Sequence, residues 1–256
     1  MKLLKISAVS YLNTFPFVYG IRESGFLQNF SLELDVPSIC AEKLKNGAVD
    51  IALVPVGALH EIHEPNLISG FCIGAVREVK TVLLLSRVPV EKIRRVYLDF
   101  DSRTSVALVK VLADYHWHID PEWVSLKPGQ SDSGNNFESL VAIGDKTFEL
   151  QTGFPYVYDL AETWINFSGL PFVFAVWVSR EKLPDDIQIQ FSQALAYGIS
   201  HKRECLEYFR DTLPACTDCL SYLERNISFE LDEKKMEGLL KFLTFINRDP
   251  NHYVRF

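Results

Sequence analysis

The alternation of strand and helix signals over residues 1–55 constrains this chain more than any other feature of its sequence. Residues 3–9 read as a strand, residues 17–24 as a short helix behind Pro16, and residues 32–36 as a second strand. A helix over residues 39–46 stops at Gly47, and the wholly apolar Ile51–Pro55 follows as a buried strand. This order implies a parallel sheet, because parallel neighbours need a crossover that a helix supplies, and such crossovers are right-handed. Ligands of such sheets gather at the carboxyl ends of the strands. Those ends carry Ser10, Tyr11 and Asn13 after the first strand, and Pro55, Val56 and Gly57 after the third.

A second unit begins near Arg94 with a strand over residues 95–100, a polar turn over 101–103 and a helix over 104–115. On that helix Val106, Val109, Leu112 and Ala113 share a face. A Gly, Ser and Asn-rich loop over 127–136 leads to a strand at 139–143 that ends on Gly144 and Asp145. Two apolar, β-rich stretches, residues 81–85 and 172–178, bracket this unit and read as crossover strands joining two lobes. The expected division is residues 1–85 with 174–256 as a discontinuous first lobe and 86–173 as the second. Helices over 185–208, with a break near Gly198, and over 216–225 and 233–246 are expected to pack on the first lobe.

Hydrophobic residues make up 48% of the 256, enough for a sizeable core. The net charge of -7 argues against nucleic acid as a partner, since phosphate binding needs a clustered excess of Lys and Arg. Polar Lys5, Ser7, Ser10 and Asn13 break up the opening residues, which do not read as a signal peptide. The longest apolar run, residues 170–178, is far short of the roughly 20 a membrane-spanning helix needs. The expectation is a cytoplasmic protein with no membrane partner and reduced cysteines, Cys216 and Cys219 standing as an unassigned C-x-x-C pair.

Several residues have chemistry to offer. The segment Asp101-Ser102-Arg103-Thr104-Ser105 leaves a strand and opens a helix, so it presents hydroxyls and backbone N–H groups where a carboxylate binds well. Ser102 or Thr104 serving only as a helix cap explains the same residues. Asn13 ahead of Phe15-Pro16 fits ordinary turn chemistry as well as ligand contact. Asp145 at a strand end suits a substrate hydroxyl or a proton, and equally a cap. His116 and His118, two residues apart, cannot face one ligand from a helix. Trp164, Phe167, Phe172 and Phe174 read as core or hinge packing. Nucleotide-binding glycine fingerprints and a Ser-His-Asp order are not found.

Five strings in register carry a family resemblance: VSYLNTFPF at residues 9–17, LKNGAVDIALVPV at 44–56, DSRTSVALVKVL at 101–112, VAIGD at 141–145 and DLAETWINFSGLPFVFAVWVSR at 159–180. Together they resemble the chorismate dehydratase family, over most of residues 1–180 and more weakly in the C-terminal helices. The related dihydroxynaphthoate synthases open with a Ser-Pro-Cys-Pro-Asn-Asp-like stretch, where this chain has SYLNTFP.

The resemblance implies an α/β, two-lobed, type 2 periplasmic-binding-protein-like fold with two crossover strands and a ligand cleft between the lobes. It implies loss of water from chorismate to give 3-[(1-carboxyvinyl)oxy]benzoate, with neither metal nor organic cofactor. By position it assigns a substrate carboxylate to Ser102, Thr104 and Ser105, further substrate contacts to Ser10, Tyr11 and Ser86, and catalytic roles to Asn13 and Asp145, the latter as partner of the leaving hydroxyl. No His or Glu stands out as base, so the base is open between a protein group and a substrate carboxylate acting on its own ring hydrogen. The partner is then a small molecule, with a homodimer left open. The rival readings are a cytosolic carboxylate-binding protein without catalysis, the related 1,4-dihydroxy-6-naphthoate synthase, and a ligand-sensing regulator domain, which would need a helix-turn-helix.

Overall fold

A computed structural model describes residues 3–99, 102–127, 130 and 137–246. Phe100, Asp101 and residues 128–129 and 131–136 of the expected loop lie outside the described residues. The opening alternation forms as read: β1 (Leu4–Val9), α1 (Phe15–Glu23), β2 (Phe30–Asp35), α2 (Pro37–Lys45) and β3 (Ile51–Pro55). Proline stands in the first turn of both helices, where its missing N–H costs nothing. β1 pairs in parallel with β2 and β3.

The next strand, β4 (Asn66–Ala75), carries Gly70 and Gly74 and no apolar alternation, which hid it from the sequence reading. It lies on the far side of β10 (Phe172–Ser179), which runs antiparallel to β3 and β4 at the centre of a six-stranded sheet. The edge strand β11 (Ser228–Glu230) completes the order β11-β4-β10-β3-β1-β2.

The second sheet has five strands in the order β7-β6-β8-β5-β9. They are β5 (Val82–Ser86), β6 (Arg95–Leu98), β7 (Glu122–Ser125), β8 (Ser139–Ile143) and β9 (Tyr156–Asp159). β6 runs parallel to β7 and β8, while β5 is antiparallel to β8 and β9. Both sheets are therefore mixed, each a parallel run of three strands continued by antiparallel ones.

This membership corrects the expected crossings. Residues 81–85 belong to the second sheet and 172–178 to the first, so neither apolar run spans the lobes. The chain crosses between Ala75 and Val82, and returns from β9 through α5 (Leu160–Ser168) into β10. The first boundary thus falls before residue 82 rather than at 85. The physical reason is that a strand with neighbours on both edges and cover on both faces is apolar throughout. Val82 and Leu84 join the main core, and Leu83 and Leu85 a smaller cluster with Leu126, Leu140, Ala142 and Phe154.

Helix α3 (Arg103–Leu112) ends sooner than expected. It widens into a π-type turn over Ala113–Trp117, closed by His118 at φ 53°. His116 packs on Trp117 and Phe167, and His118 Nδ1 meets the Asp114 carbonyl at 3.1 Å, so the two histidines serve the turn. After α4 (Thr147–Leu150), the C-terminal part holds α6 (Asp185–Ser200), α7 (Lys202–Tyr208), α8 (Cys219–Arg225) and α9 (Glu233–Ile246). The expected break falls at His201 rather than Gly198. α9 packs on β10, and α6 on α1 and β4. Among the described residues no helix is long and apolar enough to cross a membrane.

Candidate functional site

The carboxyl ends of β1 and β3 face the N-terminus of α3 across a narrow cleft of about 60 Å³. The first lobe contributes Val9, Tyr11, Asn13, Leu53 and Pro55. The second contributes Ser102, Thr104, Ser105, Ile143 and Gly144. Val79, Thr81 and Val82 come from the first crossing, and Phe174 and Ala175 from β10. A larger hollow of about 430 Å³ opens elsewhere, between Leu4, Val49 and Arg180. Its charges alternate in sign through Arg180, Glu181 and Lys182, and it lies at the amino ends of β1 and β3.

Ser102 is the N-cap of α3, its Oγ accepting from the Ser105 N–H at 3.1 Å. Ser102 and Ser105 are both buried on the cleft wall. Capping and facing the ligand are thus combined in one turn, as the helix-end argument allows. Among the described residues lining the cleft there is neither Lys nor Arg. An anion there relies on hydroxyls and the helix end rather than on an ion pair.

Thr104 works as a clasp. Its Oγ1 donates to the Phe174 carbonyl at 3.1 Å and accepts from the Gly57 N–H at 3.1 Å, so α3 of the second lobe is tied to the first. Arg103 adds an ion pair with Glu61, which also holds Lys45. That pair is partly exposed and contributes little by itself.

The Tyr11 ring lies against Gly144, whose φ is +72°. A Cβ at Gly144 would stand 2.8 Å from the ring, so only glycine leaves room there. Asn13 Oδ1 accepts from Thr14 Oγ1 at 3.1 Å. Tyr222 of α8, deeply buried, meets Thr81 Oγ1 with its hydroxyl at 2.8 Å. Nothing in the sequence singled out Thr81 or Tyr222, because each sits in a stretch whose pattern reads as core, and Phe174, read there as core or hinge packing, lines the cleft.

Three sequence candidates fall elsewhere. Ser10 is exposed at the end of β1, and its backbone N–H is held by the Asp35 carbonyl. Ser86 lies at the opposite end of β5 from Val82, its Oγ donating to the Val88 carbonyl at 2.7 Å and accepting from the Val88 N–H. The crossing instead brings Thr81 to the cleft. Asp145 adjoins the cleft without lining it, both carboxylate oxygens accepting from the Leu12 N–H at 3.1 and 3.2 Å. It caps the turn Leu12–Thr14 from the other lobe.

Burial pushes the Asp145 carboxyl up to about 6, with the Leu12 N–H pulling only weakly the other way. An acid whose folded value exceeds its unfolded one binds its proton more tightly when folded. Stability therefore falls as pH rises from about 4 to 6. Asp145→Asn keeps an acceptor for Leu12 and removes the buried charge. It is expected to raise stability by about 1–3 kcal/mol above pH 6, with the gain vanishing below about pH 4. Urea unfolding of both proteins at pH 7.5 and pH 4 measures this, and equal stability at pH 7.5 would refute it.

Cys216 and Cys219 bring their thiols together just ahead of and at the start of α8, and burial pushes Cys219 up to about 12. The other three cysteines are buried thiols.

Comparison with known proteins decides the family. A protein-family model described as menaquinone biosynthesis matches residues 4–248. The chain belongs to that family. A role in menaquinone biosynthesis follows from the membership. The chorismate dehydratase of Thermus thermophilus is 26% identical over 253 residues, covering 91% of each chain. A solved protein of Archaeoglobus fulgidus superposes with a TM-score of 0.75 at 14% identity, over 95% of this chain and 96% of that one. The periplasmic aliphatic sulphonate binding protein of Escherichia coli gives 0.62 at 16%, over 94% and 90%. The fold is the two-lobed, type 2 periplasmic-binding-protein-like one, and in this member of the menaquinone family its cleft is walled by hydroxyls, amides and apolar side chains.

Proposed function

We propose that this protein is a chorismate dehydratase, removing water from chorismate to give 3-[(1-carboxyvinyl)oxy]benzoate in the cytoplasm by the futalosine route to menaquinone. The observation that carries the reading is the full-length similarity to the Thermus enzyme, joined to a cleft suited to a small carboxylate. Removing the ring hydrogen beside the ether while the neighbouring hydroxyl leaves makes the ring aromatic, so the driving force lies in the substrate. The protein has to hold the molecule in one pose, exclude water and stabilise the charge that moves.

A substrate carboxylate sits at Ser102, Ser105 and the N-terminus of α3. Tyr11 packs on the ring, and Asn13 donates from its amide to the departing hydroxyl. Thr104, with its hydroxyl occupied by Gly57 and Phe174, closes the lobes over the substrate instead of binding it. Asp145 acts at one remove, fixing the Leu12–Thr14 turn that carries Asn13. The side-chain carboxylate of chorismate takes the ring hydrogen as a proton and passes it to the departing hydroxyl, so that water leaves and the carboxylate is restored.

The test is to mix purified protein with chorismate and follow products by chromatography and mass spectrometry. A product lighter by one water supports the reading. Chorismate bound but unchanged would turn it into a binding protein, and neither binding nor change would end it.

A further inference from the structure

We infer that Asp159 is a positioning residue for the cleft: its carboxylate ties the two chain crossings between the lobes to each other and so fixes the cleft wall formed by Val79, Thr81 and Val82. The kinetic consequence rests on the dehydratase reading, and the tie itself on geometry alone.

Residues 76–81 lead from β4 of the first lobe to β5 of the second, with neither helix nor strand to satisfy their backbone. Val79 and Thr81 are nonetheless buried, so polar backbone groups there need partners from elsewhere. Asp159, the last residue of β9 and the N-cap of α5, stands where the chain starts back to the first lobe. One carboxylate oxygen caps the helix, accepting from the Ala161 and Glu162 N–H groups at 3.0 and 3.1 Å. The other accepts from the Val79 and Lys80 N–H groups at 2.9 and 2.7 Å, so a single side chain holds both crossings. Asn226 adds a bond from its Nδ2 to the Glu78 carbonyl at 3.0 Å.

A helix cap alone does not ask for this residue, since Ser and Asn cap as well as Asp, each with one oxygen. Only a carboxylate accepts through two oxygens and donates nothing, which is what four converging N–H groups require. Burial lifts its carboxyl to about 6 against the pull of those amides, and at pH 7.5 it is ionised. The tie also holds strain. Lys80 has φ +65°, a left-handed backbone that favours glycine and persists in other residues only where the surroundings fix it. From this turn the chain passes directly to Thr81 and Val82 at the cleft. Released from Asp159, Lys80 relaxes toward negative φ and carries both with it.

Asp159→Asn leaves one acceptor oxygen, enough for the helix or for the first crossing but not for both. We expect kcat/KM on chorismate at pH 7.5 to fall about 10- to 100-fold, with kcat and KM both moving, as they do when a hinge is altered. Lys80→Gly is expected to stay within about threefold of wild type, since glycine holds the same φ without strain, and to restore at least about threefold of kcat/KM to Asp159→Asn. Wild-type kcat/KM in folded Asp159→Asn, or a loss that Lys80→Gly leaves untouched, would overturn the positioning role. Hydrogen exchange on the wild-type protein tests the tie without variant or substrate, and so also where Asp159→Asn does not fold. The Val79 and Lys80 amides are expected to exchange as slowly as those of Ala161 and Glu162, and fast exchange at Val79 and Lys80 would end the inference. If the wild-type protein does not convert chorismate, the dehydratase reading fails on its own, and the exchange rates decide this inference.

Discussion

Gly57→Ala is expected to leave both lobes folded and to weaken chorismate binding by about 100-fold, near 3 kcal/mol. Gly57 sits in the turn Val56–Glu61 that follows β3, and its backbone does not require positive φ. Space is the constraint. A Cβ there would stand 2.9 Å from the carbonyl carbon and oxygen of Arg103 and from the Cα of Thr104, all backbone atoms of the first turn of α3. Side chains can swing aside, but a helix backbone moves only as a body. The variant thus keeps α3 away from the first lobe and stretches the hydrogen bonds of the Thr104 clasp. Each lobe has its own sheet, so both should stay folded while affinity falls. Titration calorimetry with chorismate measures the loss. Wild-type affinity would mean that closure to this distance is not part of binding.

The same clasp illustrates what could be read from the chain and what could not. The Asp-Ser-Arg-Thr-Ser segment announced a helix start with hydroxyls, and Ser102 and Ser105 do line the cleft. That Thr104 turns its hydroxyl onto Gly57 and Phe174 depends on how the lobes meet, which local pattern does not encode. Ser86 was misplaced for a related reason. The apolar run before it was read as a linker between lobes, whereas it is a strand flanked on both edges, and its far end lies away from the cleft. Strands β1, β3 and β8 were legible because they are apolar and bounded by turn residues. β4 was not, since two glycines interrupt it and β10 and β11 on either side supply the pairing its own side chains do not suggest. Asp145 was found by its place after an apolar strand. Its partner, the Leu12 N–H from the other lobe, makes it a cap of the Asn13 turn rather than a group facing the ligand.

Asn13→Ala is expected to lower kcat on chorismate by about 100- to 1,000-fold while changing KM by only a few fold. That is the loss typical when one preorganised hydrogen-bond donor to a developing charge is deleted. The amide is held through Thr14 before substrate arrives, so little reorganisation is needed when the leaving hydroxyl gains charge. The ground state, with a neutral hydroxyl, gains less from the same donor, which is why the loss should appear in kcat. Ser105→Ala makes the contrast, because a substrate carboxylate carries its charge before and after the elimination. Its loss is expected mainly in KM, by about 5- to 30-fold. Steady-state kinetics on the two variants, with single-turnover rates to separate chemistry from product release, distinguishes the roles. If Asn13→Ala turned over at a rate within threefold of wild type, the leaving hydroxyl would have to be stabilised by another group, and Thr81 would be the next to test because it also lines the cleft.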